Sequence, residues 1–182
     1  MSTARTKLVL VALTVTACLL SSGKTALAGK VDPTLQTAII AKLASYDSSI
    51  KLAGKELRIA VLSDENSAKS AAAIVKAFDT LRRKNVTVKG RKLRAVLVSD
   101  NNFSGARLVY IPSSHSNLAT LAKSARAAGV PSISDSLGSL SKGISLCVLE
   151  SKGRPSIHIS KSGVKGLMSI DSKLLRLAKL HP

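Results

Sequence analysis

Aromatic side chains are almost missing from this chain. Two Tyr, two Phe and no Trp make up 2% of its 182 residues. Any core must therefore be built from Ala, Val, Ile and Leu, and Tyr46, Phe78, Phe103 and Tyr110 offer little surface on which nucleic-acid bases could stack. Acids are scarce as well: 10 Asp plus Glu stand against 28 Lys plus Arg, a formal charge of +18. No pair of carboxylates falls into a recognisable acid–base motif, and the excess of positive charge favours anionic partners, steered from a distance. Cysteine is limited to Cys18 and Cys147, too few for a disulfide framework. Long apolar runs are lacking too, since none approaches the ~20 residues that cross a bilayer as a helix.

What the first 28 residues contain is an export pattern. Arg5 and Lys7 precede an uncharged, largely apolar stretch from Leu8 to Leu20, and Ala26-Leu27-Ala28 supplies the small residues that a signal peptidase requires. The expected organisation is a signal peptide over residues 1–28 and a single α/β domain over 29–182. Val15-Thr16-Ala17-Cys18 also resembles a lipoprotein signal, so the alternative is a lipid anchor through Cys18. Cleavage before Gly29 removes three positive charges (Arg5, Lys7, Lys24) and no acids, which lowers +18 to +15. Cys147 is then the lone cysteine. Its apolar run, Ile144–Leu149, marks it as a buried thiol, and an intermolecular disulfide giving a homodimer is the sharper alternative.

The remaining pattern alternates between strand and helix. Asp32-Pro33 is a helix start, with a cap followed by Pro at the first helical position, and Leu35, Ile39, Ile40 and Leu43 recur at helical spacing. Leu57–Leu62 is a strand; Ser63-Asp64-Glu65-Asn66 provides caps for a helix with Ala71, Ile74, Val75, Phe78 and Leu81 on its apolar face. Leu93–Val98 and Arg107–Ile111 are further strands. A helix carrying Leu118, Leu121, Ala122 and Ala125 follows, then a short strand over Val130–Ser134. Ile144–Leu149 and Ser156–Ser160 flank a turn at Lys152-Gly153 and predict a hairpin. A final helix starts near Ser172, capped by Asp171 or Ser172, with Ile170 stapled on Leu175. The fold class is α/β: a mostly parallel sheet flanked by helices, with an antiparallel C-terminal hairpin.

The order of these segments carries a resemblance. Leu57-Arg58-Ile59-Ala60-Val61-Leu62, Ala106-Arg107-Leu108-Val109-Tyr110-Ile111 and Gly129-Val130-Pro131-Ser132-Ile133-Ser134-Asp135 come first. Ile144-Ser145-Leu146-Cys147-Val148-Leu149-Glu150, Ile157-His158-Ile159, Gly163-Val164-Lys165-Gly166-Leu167-Met168-Ser169 and Leu174-Leu175-Arg176-Leu177-Ala178 follow. Together they resemble the YfiR-like family of periplasmic proteins over most of the mature chain. The resemblance implies a secreted α/β module without catalytic activity, which regulates a membrane signalling protein such as an inner-membrane diguanylate cyclase or a sensor kinase. Two features depart from it. The family's aromatics in the first helix and its Trp-Pro give way here to Tyr46 followed by Asp47-Ser48-Ser49, and the family's control through disulfides has no intrachain partner for Cys147 if Cys18 is cleaved off or lipidated.

A search for chemistry returns little. Gly23-Lys24-Thr25 imitates the end of a phosphate-binding loop, but Cys18 stands where the loop's first Gly belongs, and the segment lies in the leader. His115, His158 and His181 lack metal-site spacing, and no Gly-x-Ser-x-Gly elbow is present. His115 follows Ser113-Ser114 at a helix start, where an anion could bind and where simple capping is the plainer role. No catalytic, cofactor or metal residue is therefore assigned.

Two surfaces stand out instead. Arg82, Arg83, Lys84, Lys89, Arg91, Lys92 and Arg94 are crowded together without an acid. They form either a solvated edge or a face for an anionic envelope component, and export argues against nucleic acid. Val164, Leu167 and Met168 are apolar residues in a Gly-containing connection next to Lys173, Arg176 and Lys179. They either tuck under the domain or dock a protein. Two functions follow: a periplasmic regulator bound to a membrane signalling protein, or a binding protein for an anionic small molecule or envelope polymer. A polar pocket at the carboxyl ends of the parallel strands would favour the second; a flat apolar and basic surface would favour the first.

Overall fold

Asp32 and Pro33 open the first helix as the sequence predicts. The Asp32 carboxylate accepts hydrogen bonds from the Thr34 and Leu35 amides at 2.9 and 3.3 Å, and α1 runs over Pro33–Tyr46. Its buried stripe differs from the one predicted. Leu35 is exposed, while Gln36 and Thr37 are buried beside Ile40, Leu43 and Ala44. The computed structural model describes residues 31–48, 55–99, 101–151 and 153–182. The expected leader, with Cys18, and the turn residue Lys152 lie outside the described residues.

The elements that follow are β1 (Glu56–Leu62), α2 (Ala68–Arg83), β2 (Thr87–Val88), β3 (Arg91–Val98), β4 (Ala106–Tyr110), α3 (Leu118–Ala127) and β5 (Ser132–Ser134). A 3-10 turn over Leu137–Lys142 leads to β6 (Leu146–Ser151), β7 (Arg154–Ser160), α4 (Lys161–Val164), α5 (Ser172–Leu177) and β8 (Ala178–His181). Among the described residues the strands form one eight-stranded sheet in the order β2-β3-β1-β4-β5-β6-β7-β8. Strands β1, β3, β4, β5 and β6 are parallel. β2 is antiparallel to β3, β7 is antiparallel to β6, and β8 runs parallel to β7. The expected α/β sheet with its hairpin is thus present. The tail strand β8, unlike the hairpin, has no turn signal in the sequence to announce it.

Alternation along the strands divides the core in two. Leu57, Ile59, Leu93, Leu108, Tyr110, Ile133 and Val148 face α1, α2 and the buried Leu174 of α5. Ala60, Leu62, Val109, Ile111, Cys147 and Leu149 face α3. Phe78 of α2 is 1% exposed, and truncating such an anchor to Ala costs about 3–5 kcal/mol. Close packing extends to α4. A Cβ on Gly163 would lie 2.9 Å from the Ser145 Cα, so only glycine lets this turn rest on the start of β6, where Ser145 Oγ donates to the Gly163 carbonyl at 2.9 Å.

The helices that follow β1 and β4 lie on opposite faces of the sheet. The two strands are neighbours, so the chain leaves their carboxyl ends in opposite directions and opens a crevice there.

Candidate functional site: the cleft between α1 and α2

This crevice continues into a cleft of about 340 Å³ beneath α1 and α2, within the size range of small-molecule sites. Gln36, Ile74 and Tyr110, all buried, form its inner part. Ala73, Ser70 and Pro33 line its sides, and the exposed Asn66, Lys69 and Ser114 lie at its mouth. Tyr110 Oη donates to Gln36 Oε1 at 3.4 Å. Burial first, then the charge of Asp135, raises the Tyr110 phenol well above its ordinary range, so it stays a neutral donor. Gln36 Nε2 is buried without a hydrogen-bond partner. An orphaned buried amide is costly.

Asp64 organises the crevice beside the cleft. One carboxylate oxygen accepts from the Ser67 amide at 2.9 Å and from its hydroxyl, and the other accepts from the Ser116 amide at 2.8 Å. The Ser67 hydroxyl first, and the Ser116 amide next, hold this carboxyl well below the usual carboxylate range. Asn66 Nδ2 donates to Ser116 Oγ at 2.8 Å, and Asp135 accepts from the Ser113 amide at 2.7 Å. The loops after β1, β4 and β5 are thereby tied together.

His115 Nδ1 lies 3.4 Å from Asp64 Oδ2. Its Nδ1 accepts from the Asn117 amide at 3.1 Å. Its Nε2 is buried without a hydrogen-bond partner. The N-cap of α3 is Asn117, and the helix has no side-chain cap; His115 instead braces the loop that leads into it. Among the described residues no three His, Cys, Asp or Glu side chains gather to hold a metal ion.

The basic segment is dispersed in the fold. Arg82, Arg83 and Lys84 are exposed at the end of α2, with Arg82 3.4 Å from Asp79 and Arg83 donating to Thr80 Oγ1. Lys89 Nζ bonds the Asp47 carbonyl. Arg91 is buried, Lys92 is exposed, and Arg94 pairs with Glu56 at 3.1 Å. Arg83, Lys84 and Lys92 are exposed and pair with no carboxylate among the described residues.

The loop after α4 is anchored on both sides. Arg126 of α3 donates to the carbonyls of Ser162 and Gly163 at 2.8 and 3.0 Å, and Asp47 accepts from the Ser169 amide at 3.0 Å. Val164 and Met168 are half-buried against the core, whereas Leu167 lines a second groove of about 710 Å³ at the amino end of the sheet, with Phe103 and Pro131. The following segment is more open. Leu175, Leu177 and Leu180 are exposed, Leu177 to 67%, interleaved with the exposed Lys173, Arg176 and Lys179. Leu174, not Leu175, is the residue buried, so the expected staple from Ile170 gives way to Ile170 packing against the core. Cys147 is buried, donates to the Ser136 carbonyl at 2.9 Å, and has its thiol pushed up to about 12 by burial and then by Asp135. In the folded chain it is out of reach of a second copy.

A mostly parallel sheet with helices on both faces and a crevice at its switch point defines the fold class as a doubly wound α/β module. The sequence model of the YfiR/HmsC-like family matches residues 33–179. The chain belongs to this family, known for periplasmic regulators of diguanylate cyclases. Two solved structures share the fold. One is a conserved domain protein from Vibrio cholerae O1 biovar El Tor, 12% identical at a TM-score of 0.51, matched over 81% of this chain and 59% of that one. The other is the ABC domain from Streptococcus pneumoniae in complex with L-Trp, 12% identical at 0.54, over 81% and 60%. The chain therefore spans about three-fifths of each, and at this identity the likeness is one of fold alone. No curated protein matches the sequence. No helix among the described residues is long and apolar enough to cross a membrane.

Proposed function

We propose that this chain is a periplasmic, non-catalytic regulatory module that acts by binding a membrane signalling protein of the diguanylate cyclase type. The observation that carries the reading is the family match over residues 33–179. The surface supports it: the α5–β8 segment presents Leu175, Leu177 and Leu180 among Lys173, Arg176 and Lys179, an apolar and basic combination suited to an acidic, partly apolar periplasmic segment of a membrane protein. Leu167 in its open groove offers a second contact.

The test is capture of the tagged protein from envelope membranes after cross-linking in living cells. The native sequence should retain an inner-membrane cyclase or sensor kinase. Leu177→Asp and Leu167→Asp should each lose it with little change in melting temperature, because an open site tolerates charge. Recovery of no signalling protein, or equal recovery by all three proteins, would contradict the reading. A large loss of melting temperature in Leu167→Asp would assign that residue to the core.

The second reading, a binding protein for an anionic small molecule, is favoured by the cleft between α1 and α2. It is compatible with the first, since a regulator needs an input.

A further inference from the structure

Two histidines face each other nitrogen to nitrogen across the contact between β7 and β8. His158, buried, stands on β7, and His181 stands on β8. His158 Nδ1 lies 2.8 Å from His181 Nε2, a hydrogen-bond distance with room for one hydrogen between the rings. His158 Nε2 lies 2.9 Å from Ser156 Oγ, a hydroxyl that can donate or accept. With both rings neutral, one N–H between them makes the bond. One added proton keeps it, since an imidazolium donates to a neutral ring in a charge-assisted bond. A second added proton puts hydrogen on both facing nitrogens and sets two like charges in contact, so the rings have to part. The pair thus titrates as a unit, in two steps.

The surroundings oppose that second charge. Register and pleat put Arg154, Cys147 and Lys179 on the same face as His158. Cys147 stays neutral, with its thiol pushed up to about 12, and Lys179 adds to the repulsion. The 3-10 turn and α4, both packed on β7, bring the exposed Lys142 and Lys161, and α5, packed on β8, brings Lys173 and Arg176. The neighbouring acids are engaged or turned away. Glu150 of β6 lies on the opposite face from Cys147, Asp135 accepts from the Ser113 amide, and Asp171 caps its own helix.

β8 is the element this charge can move. Among the described residues it is an edge strand that pairs with β7 alone, and none of its four residues is fully buried. The helix before it is pinned separately by Leu174, 1% exposed, and Ala178 joins the two in extended conformation. The strand can therefore leave while α5 stays seated, a local opening of the kind that sheet edges allow.

We propose that β8 is a proton-gated strand, docked on β7 while the His158–His181 pair carries at most one added proton and undocked when both rings are protonated. The docked pair binds its second proton more weakly than separated imidazoles do. Acid therefore favours undocking, by up to about tenfold per pH unit below about 6.5. Undocking carries Lys179 and Leu180 away from Leu175 and Leu177, which breaks up the surface assigned to the membrane partner. The gate itself is a property of the chain alone, so its test stands whether or not that partner is captured.

The test is hydrogen exchange of the purified protein, read residue by residue by NMR from pH 7.5 to 4.5, with the imidazole signals followed in the same samples. At pH 7.5 the β8 amides bonded to β7 should be protected. Their protection factors should hold through the first imidazole step and fall at least about tenfold across the second, while those of β6 stay level. His181→Gln, at a partly exposed position, and His158→Gln each leave one titrating ring, and β8 should then keep its protection over the whole range. Absence of β8 protection at pH 7.5 in the native sequence would overturn the proposal. So would protection that survives the second step, or a fall of the same size in both variants.

Discussion

His158 and His181 meet ring to ring where β7 and β8 pair, with His158 Nδ1 2.8 Å from His181 Nε2 and His158 Nε2 2.9 Å from Ser156 Oγ. Burial first, then the charges of His181 and Lys179, lowers the His158 pKa below 6.5. The unfolded chain therefore takes up this proton before the folded one does, and the stability that rests on neutral His158 is lost as pH falls below about 6.5. Urea midpoints measured from pH 7.5 to 5 should fall on acidification, and His158→Gln should flatten that part of the curve; parallel curves for the two proteins would contradict the assignment. Neither histidine announces this role in the sequence, because the contact depends on a strand that lacks its own turn signal. Gln36 is hidden for a similar reason. Helical spacing draws attention to Leu35 as the apolar residue, and only the docking of α1 on α2 turns the polar neighbour inward. Asp32 is legible, since capping is local chemistry that needs no tertiary contact.

At the scale of elements, what was legible is what periodicity controls. The apolar stripe of α2, the runs of β1 and β6, and the hairpin turn each satisfy a local rule. The basic run Arg82–Arg94 shows the limit of that approach, because it spans a helix end, a two-residue strand and a strand of alternating burial. Arg91 turns inward, Arg94 finds Glu56, and Lys89 reaches the Asp47 carbonyl. A pattern read as one face divides once the strand pleat is imposed. Arg83, Lys84 and Lys92 carry what remains of the proposed anion-binding surface. Changing these three to Gln should reduce retention on anionic liposomes several-fold at low salt and leave the melting temperature nearly unchanged, since exposed charges contribute about 0–1 kcal/mol each to folding. Equal retention of the two proteins would leave these side chains as a solvated edge.

For the whole molecule, the order of the strands places two kinds of surface at different ends of one sheet. Loops tied by Asp64 and Asp135 frame a cleft at the carboxyl ends, while Leu167 lines the groove at the amino end and α5–β8 closes the far edge. Such a separation suits a module that takes an input at one place and meets a partner at another. The fold class could be read from alternating patterns. The partner surface could be read only as composition, because exposure is decided by which leucines the core has room for, and Leu177 and Leu180 are left outside it. The central claim, that this chain regulates a membrane diguanylate cyclase from the periplasmic side, is tested most directly by the cellular cyclic di-GMP level when the chain is removed. Deletion should raise that level, and the full-length sequence should restore it while a version lacking residues 1–28 should not. An unchanged level on deletion, or equal rescue by the version lacking residues 1–28, would contradict the account.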